Sequence, residues 1–130
     1  MIILDTHIWV WSAQGDKRLG REYLELIQGH ESGEIGICAS SLWEVAKAVE
    51  LQRLSFAVPV EDWFSFALSQ RGIILLPLTP SIALESTRLP GNFHKDPFDQ
   101  LIVATARILD VPLVTVDSDI VNYPHVKLLP

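Results

Sequence analysis

The chain has 130 residues, 48% of them hydrophobic, and a formal net charge of −6. That length fits one domain, residues 1–130, able to bury roughly two-thirds of its unfolded surface in a single core. One cysteine excludes an intrachain disulfide and suits a reducing cytoplasm, and no apolar run of about 18 residues is present to span a membrane.

Residues 2–4 predict a short strand, and residues 6–12 begin a helix with Trp9 and Trp11 turned inward. The acid at position 5 and the lack of a basic start argue against a signal peptide. Residues 14–20 form a polar link, and Tyr23, Leu24, Leu26 and Ile27 give 19–28 a helical spacing. Turn material at 29–33 leads to a strand at 35–39, in which Cys38 reads as a small buried hydrophobe. Ser40 or Ser41 caps a helix running to Leu51, with Val45, Ala46, Val49 and Leu51 on its buried stripe.

Val58-Pro59 breaks the chain, 60–70 reads as a helix ended by Gly72, and 73–78 reads as a buried strand. Thr79-Pro80 opens a helix that ends near Leu89, with proline at its first position, and 90–95 is an exposed loop. Asp96-Pro97 opens the next helix, to residue 109, and Val111-Pro112 stops it. Strands at 113–116 and 126–129 complete the chain. This alternation predicts an α/β fold: a mainly parallel central sheet of about five strands, helices on both faces, right-handed crossovers.

The carboxylates fall at particular places in that pattern. Asp5 ends the first strand and Asp117 ends the strand 113–116, while Glu44, Asp96 and Asp99 stand near helix starts. In an open parallel sheet these strand ends and helix starts share one edge, where ligands bind. Acids gathered there repel: two unit charges about 4 Å apart cost roughly 4 kcal/mol at an effective dielectric of about 20. Such a cluster calls for a cation, and oxygen-only ligands select hard ions such as Mg²⁺ or Mn²⁺. Phosphate chemistry at a metal site is the reading that results.

Each acid also has a plainer reading. Asp5 suits an N-cap, and Ser41-Leu42-Trp43-Glu44 has the form of a capping box. Asp96-Pro97-Phe98-Asp99 suits a cap, a first-position proline and a first-turn acid. Asp117-Ser118-Asp119 suits a turn, and Thr115 is placed to hydrogen-bond a neighbouring carboxylate. None of these readings explains why all the acids fall on one edge. Asp99 also heads an unusually apolar helix, Leu101-Ile102-Val103-Ala104, which must be buried on most sides.

The whole layout resembles a known family. Asp5-Thr6-His7 after the first strand, Ser41-Leu42-Trp43-Glu44-Val45, His94-Lys95-Asp96-Pro97-Phe98-Asp99-Gln100 and Leu113-Val114-Thr115-Val116-Asp117 look like a single PIN-like domain. More narrowly, they resemble the VapC-type toxins of prokaryotic toxin–antitoxin pairs with a His-basic-Asp-Pro-Phe-Asp signature. The resemblance covers essentially the full chain, and Asp-Pro-Phe-Asp before the apolar helix is its most specific part. It implies a metal-dependent endoribonuclease, usually a homodimer, silenced by a cognate antitoxin that inserts into the active-site groove. Carried over residue by residue, the family's acids are Asp5, Glu44, Asp99 and Asp117, with Asp96 also close to the metal. Gln100 departs from the subgroup, where Arg is common, and so removes a possible phosphate contact.

Thr6, His94, Lys95 and Thr115 are further candidates for RNA contact, although the default reading is a surface histidine for His7 and His94 and a solvated charge for Lys95. Lys47, one turn after Glu44, is placed to pair with it, and Trp43 is placed either to stack on a base or to pack in the core. A charge of −6 opposes tight binding of free nucleic acid, but two bound divalent ions would bring −6 to −2. A mean hydropathy of +0.26 and four Trp residues predict either a Trp-rich core or apolar surface covered by a partner or second copy. Two other functions fit less of the pattern. A haloacid-dehalogenase-like phosphatase would phosphorylate Asp5 but wants a second Asp where His7 stands. A non-catalytic PIN-like binding module has no reason to keep repelling acids.

Overall fold

The computed structural model describes all residues, 1–130. Four parallel strands form the sheet: β1 (Ile2–Leu4), β2 (Ile35–Cys38), β3 (Ile73–Leu76) and β4 (Leu113–Val114), in the order β3-β2-β1-β4. Six helices connect them, α1 (Thr6–Gln14), α2 (Arg21–Gly29), α3 (Ala39–Glu50), α4 (Val60–Leu68), α5 (Pro80–Ser86) and α6 (Pro97–Leu109), and α7 (Ser118–Val121) follows β4. The α/β class, the parallel sheet and the single domain layout of the sequence reading are all present.

The fifth strand expected at 126–129 is reduced to one parallel bridge, Leu113 to Leu128. Its cause lies in β4, which Pro112 precedes and whose successor Thr115 accepts the Asp117 amide on its side-chain oxygen. Only Leu113 exchanges bonds with the tail, accepting from Leu129 at 3.1 Å and donating to Lys127 at 2.9 Å. The strand expected at 73–78 stops at Leu76 and is half-buried rather than buried, because β3 is the free edge of the sheet.

Alternation along the strands builds two cores, one on each face. Ile2, Leu4, Ile35, Ile37 and Val114 face the larger, where Trp9 and Trp63 lie among α1, α3 and α4. Ile3, Cys38, Leu76 and Leu113 face the smaller, filled by Ile102, Val103 and Ala106 of α6 with Ile120 and Tyr123. Five consecutive α6 residues, Ile102 to Ala106, are buried, as the apolar run at the helix start required. Caps follow the sequence at α5 and α6, where Thr79 and Asp96 accept amide bonds ahead of Pro80 and Pro97. At α3 they do not: Cys38 is the N-cap residue, without a side-chain bond, and Ser41 lies inside the helix, fully buried.

Gly72 sets the entry into β3. Its φ is +84°, its carbonyl accepts the Ile35 amide at 2.7 Å, and a Cβ there would lie 2.8 Å from the Glu31 carbonyl oxygen. Both the conformation and the backbone contact oppose any side chain. Gly72→Ala is expected to cost about 1–2 kcal/mol or more, read as a lower denaturation midpoint in urea with an unchanged slope.

Candidate active site

The register of the strands assembles the site. Leu4 pairs with Val114, so the residues that follow, Asp5 and Thr115, stand side by side at the sheet edge. Thr115 donates its hydroxyl to Asp5 Oδ2 at 2.6 Å, and the same Oγ1 accepts the Asp117 amide at 3.0 Å. Asp5 Oδ1 accepts the Thr6 amide at 2.8 Å and so caps α1. Thr6 in turn donates to Glu44 Oε1 at 2.7 Å. Because that bond uses its one hydroxyl proton, Ser41 must be the donor in the 2.7 Å contact between the Ser41 and Thr6 hydroxyls. Glu44 is therefore tied across to α1, and the capping box suggested by Ser41 and Glu44 does not form.

On the other side, Asp96 caps α6, its Oδ1 accepting the amides of Phe98 at 2.9 Å and Asp99 at 3.4 Å. Asp96 is exposed, whereas the Asp99 side chain is only 15% exposed. Asp117 caps α7 through the amides of Asp119 at 2.9 Å and Ile120 at 3.3 Å. The capping readings of Asp5 and Asp96 are thus correct as local structure, Asp117 caps a short helix where a turn was expected, and none of these caps competes with a shared site.

Electrostatics bind the acids into one group. Burial pushes Asp99 up to about 7, the charges of Asp5, Asp96 and Asp117 push the same way, and His94 opposes them. Burial also lifts Glu44 to about 7 against the Thr6 hydrogen bond, with Asp5, Asp99 and Asp96 adding to the rise. Asp5 is raised too, burial outweighing its bonds from Thr115 and Thr6. Cys38 is no competing nucleophile, since burial lifts its thiol to about 11.

Two site residues were weakly signalled or missed in the sequence. His94, in a loop expected to be exposed, is half-buried with Phe93 packed on its ring. Its Nε2 lies 2.9 Å from Asp99 Oδ2, yet that buried atom lacks an aligned hydrogen bond. Gln100 donates to the His94 carbonyl at 3.1 Å, so the departure from Arg gives this loop an anchor. Asp119, read only as turn material, joins His94 and Asp117 in a trio whose ligand atoms lie within 4.8 Å of one another. That trio contains just one of the four expected acids; Asp5, Glu44 and Asp99 are linked to it through Thr115, through Thr6 and through His94. The only advance signal for His94 was its place in the His-basic-Asp spacing.

Other expectations change. Thr6 and Thr115 are buried and hold acids, which leaves neither hydroxyl directed at solvent. Lys95 is exposed. Lys47 pairs with Glu50 at 2.6 Å instead of Glu44, and Trp43 is 54% exposed instead of packed in the core. Carboxylate oxygens joined by one imidazole, two of the carboxyls holding protons near neutrality, are a donor set that a hard divalent cation would fit.

The raised carboxyls fix the sign of a pH effect. Between the ordinary values of 3.8 and 4.5 and the folded value of about 7, Asp99 and Glu44 keep protons in the folded chain that the unfolded chain has lost. Stability of the cation-free protein is therefore expected to fall as pH rises from about 4.5 to 7. Thermal melts in EDTA across that range check this, and Asp99→Asn should flatten the decline.

The PIN domain family model matches residues 2–126. Ribonuclease VapC22 of Mycobacterium tuberculosis is 32% identical over 124 residues, covering 95% of this chain and 92% of that protein. Two solved structures share the fold at lower identity. VapBC2 from Rickettsia felis, bound to a DNA fragment from its promoter, superposes with a TM-score of 0.73 at 18% identity, covering 99% of this chain and 98% of the other. A toxin–antitoxin complex from Klebsiella pneumoniae gives 0.70 at 20% identity, with 100% and 97% covered. With the family model spanning nearly its whole length, this chain belongs to the PIN domain family and, by its similarity to the mycobacterial protein, to the VapC type.

Proposed function

We propose that this protein is a metal-dependent endoribonuclease and the toxin of a toxin–antitoxin pair, hydrolysing RNA phosphodiesters. The observation that carries the reading is the convergence of acids where β1 and β4 end: burial raises Asp5, Glu44 and Asp99, and the charge of Asp5 adds to the rise of the other two. Being named a ribonuclease, the 32% identical relative supports the same chemistry.

In this reading Asp5, Asp99, Asp96 and Asp117 hold the cation, Mg²⁺ or Mn²⁺, and Glu44 completes the catalytic set. When bound, such an ion supplies an acidified water and a counter-charge for the phosphoryl oxygens. The chain's own residues prepare the place. Thr115 and Thr6 lock the rotamers of Asp5 and Glu44, so the oxygens are aimed before the ion arrives. His94 sits against Asp99 and opposes the rise of its pKa, which favours the ionised form needed for binding. Water adds to phosphorus, the ribose 3′ oxygen leaves, and the products carry 5′-phosphate and 3′-hydroxyl ends. A cognate antitoxin and a second copy of the chain are the partners assigned with this activity. Exposed Leu75 on the free edge strand, Leu78 just after it and Leu84 on α5 suit such an interface.

Asp5→Asn and Asp99→Asn are each expected to reduce RNA cleavage to background. In EDTA at pH 8 they should leave Tm unchanged or raise it by up to about 5 °C, because like-charge repulsion falls. Total cellular RNA incubated with Mn²⁺, Mg²⁺ or EDTA, beside each variant, provides the readout. Discrete products that require the cation and vanish in the variants support the assignment. Equal cutting by Asp99→Asn would overturn it.

A further inference from the structure

A groove of about 430 Å³ opens beside the acids, bordered by Thr6 and Glu44 and walled by Trp11, Trp43 and Phe98. Trp43 immediately precedes Glu44 on α3, and Phe98 immediately precedes Asp99 on α6. Adjacent helical residues point about 100° apart, so with the acids turned to the site the two aromatics meet at its rim. They stack there, ring centroids 5.2 Å apart and planes 16° from parallel, with Trp43 more than half exposed. Large exposed indoles are uncommon unless something uses the face.

Charge on this wall is the reverse of the chain's net −6. Arg18, Lys47 and Arg53 line the groove, three of the ten Lys and Arg residues in the protein. Arg18 lies 5.1 Å from the Trp11 ring and Lys47 lies 5.4 Å from the Trp43 ring. Flat π faces interleaved with cations are what unpaired nucleotides need, bases stacking while phosphates meet the charges. Two of these cations, Arg18 and Lys47, pair at the surface with Asp16 at 2.8 Å and Glu50 at 2.6 Å, exchangeable contacts that a phosphate can replace, and Arg53 forms no ion pair.

We propose that this groove is the subsite for the unpaired nucleotides next to the scissile phosphate, with a base on the Trp43–Phe98 stack and phosphates at Lys47 and Arg53. The proposal rests on the ribonuclease reading and adds to it a requirement for single-stranded RNA beside the cut. Lys47 reaches a phosphate by leaving Glu50, an exposed partner. Trp43 and Lys47 are here specificity-determining residues outside the cation site.

The test is fluorescence anisotropy of a labelled single-stranded RNA in EDTA, where cleavage is absent, with intrinsic tryptophan quenching as a second signal. Trp43→Ala is expected to weaken binding about tenfold and Trp43→Phe to keep most of it. Lys47→Ala should reduce the slope of log affinity against log salt by about 0.7, the share of one phosphate on a single strand. Circular dichroism confirms that the exposed substitutions leave the fold intact. With cation added, the same Trp43→Ala variant should raise KM more than it lowers kcat. If wild type cleaves RNA and both Trp43 variants bind and cleave like it, the groove proposal falls and the ribonuclease reading stands. Loss of antitoxin binding in Trp43→Ala with RNA affinity unchanged would likewise assign the groove to the protein partner and overturn the proposal. Wild type that neither binds nor cuts any RNA would overturn both.

Discussion

Mutual repulsion among carboxylates at one sheet edge is the constraint around which this molecule is arranged. Asp5, Glu44 and Asp99 are each lifted by burial and by the charge of neighbouring acids. Uncompensated, such a cluster would splay the strand ends. Two threonines and a set of backbone amides oppose that. Thr115 and Thr6 donate to Asp5 and Glu44, and the first amides of α1, α6 and α7 donate to Asp5, Asp96 and Asp117. Hydrogen bonds to charged groups contribute about 1.5–3 kcal/mol each, enough to hold acids in place but not to discharge them. The residual charge is what makes the site receptive to a cation.

The sheet supplies the rigidity that this arrangement needs. Asp5 lies between two packed cores, since Leu4 and Ile3 before it turn to opposite faces and both are buried. The hydrogen bond from the Asp5 amide to the Val114 carbonyl at 3.0 Å continues the ladder up to the carboxylate itself. A one-residue slip between β1 and β4 would therefore turn Asp5 to the other face and separate it from Thr115. Site and core are in this sense one structure, and α6, buried along five consecutive residues, carries Asp99 with equal firmness.

The tryptophans divide between these roles. Trp9 and Trp63 pack 5.0 Å apart in the larger core, with Phe56 stacked on Trp63 at 4.3 Å. Trp43 and Trp11 instead belong to the groove, each with a cation near its ring. The two expectations drawn from composition, a Trp-rich core and apolar surface available to something else, both describe parts of the molecule. An acidic chain can in this way present a cationic wall to phosphates while concentrating its own negative charge a few residues away.

By itself the sequence determined the α/β class, the order of elements, the caps at Thr79 and Asp96, and the edge on which the acids lie. These follow from short-range rules: apolar periodicity, proline at a helix start, and the geometry that puts parallel strand ends on one side. Tertiary structure alone decided who holds whom. Ser41 and Glu44 look like a capping box in sequence, but Thr6, 38 residues from Glu44, offers both a closer match. Lys47 turned to Glu50, Trp43 turned outward to Phe98, and His94 and Asp119 came together across 25 residues of chain. The last strand shrank to a bridge because β4 had backbone groups to offer only at Leu113. Such pairings depend on strand register and helix rotation, which a linear pattern constrains only to a face, so their partners become visible once the sheet has set every helix start in place.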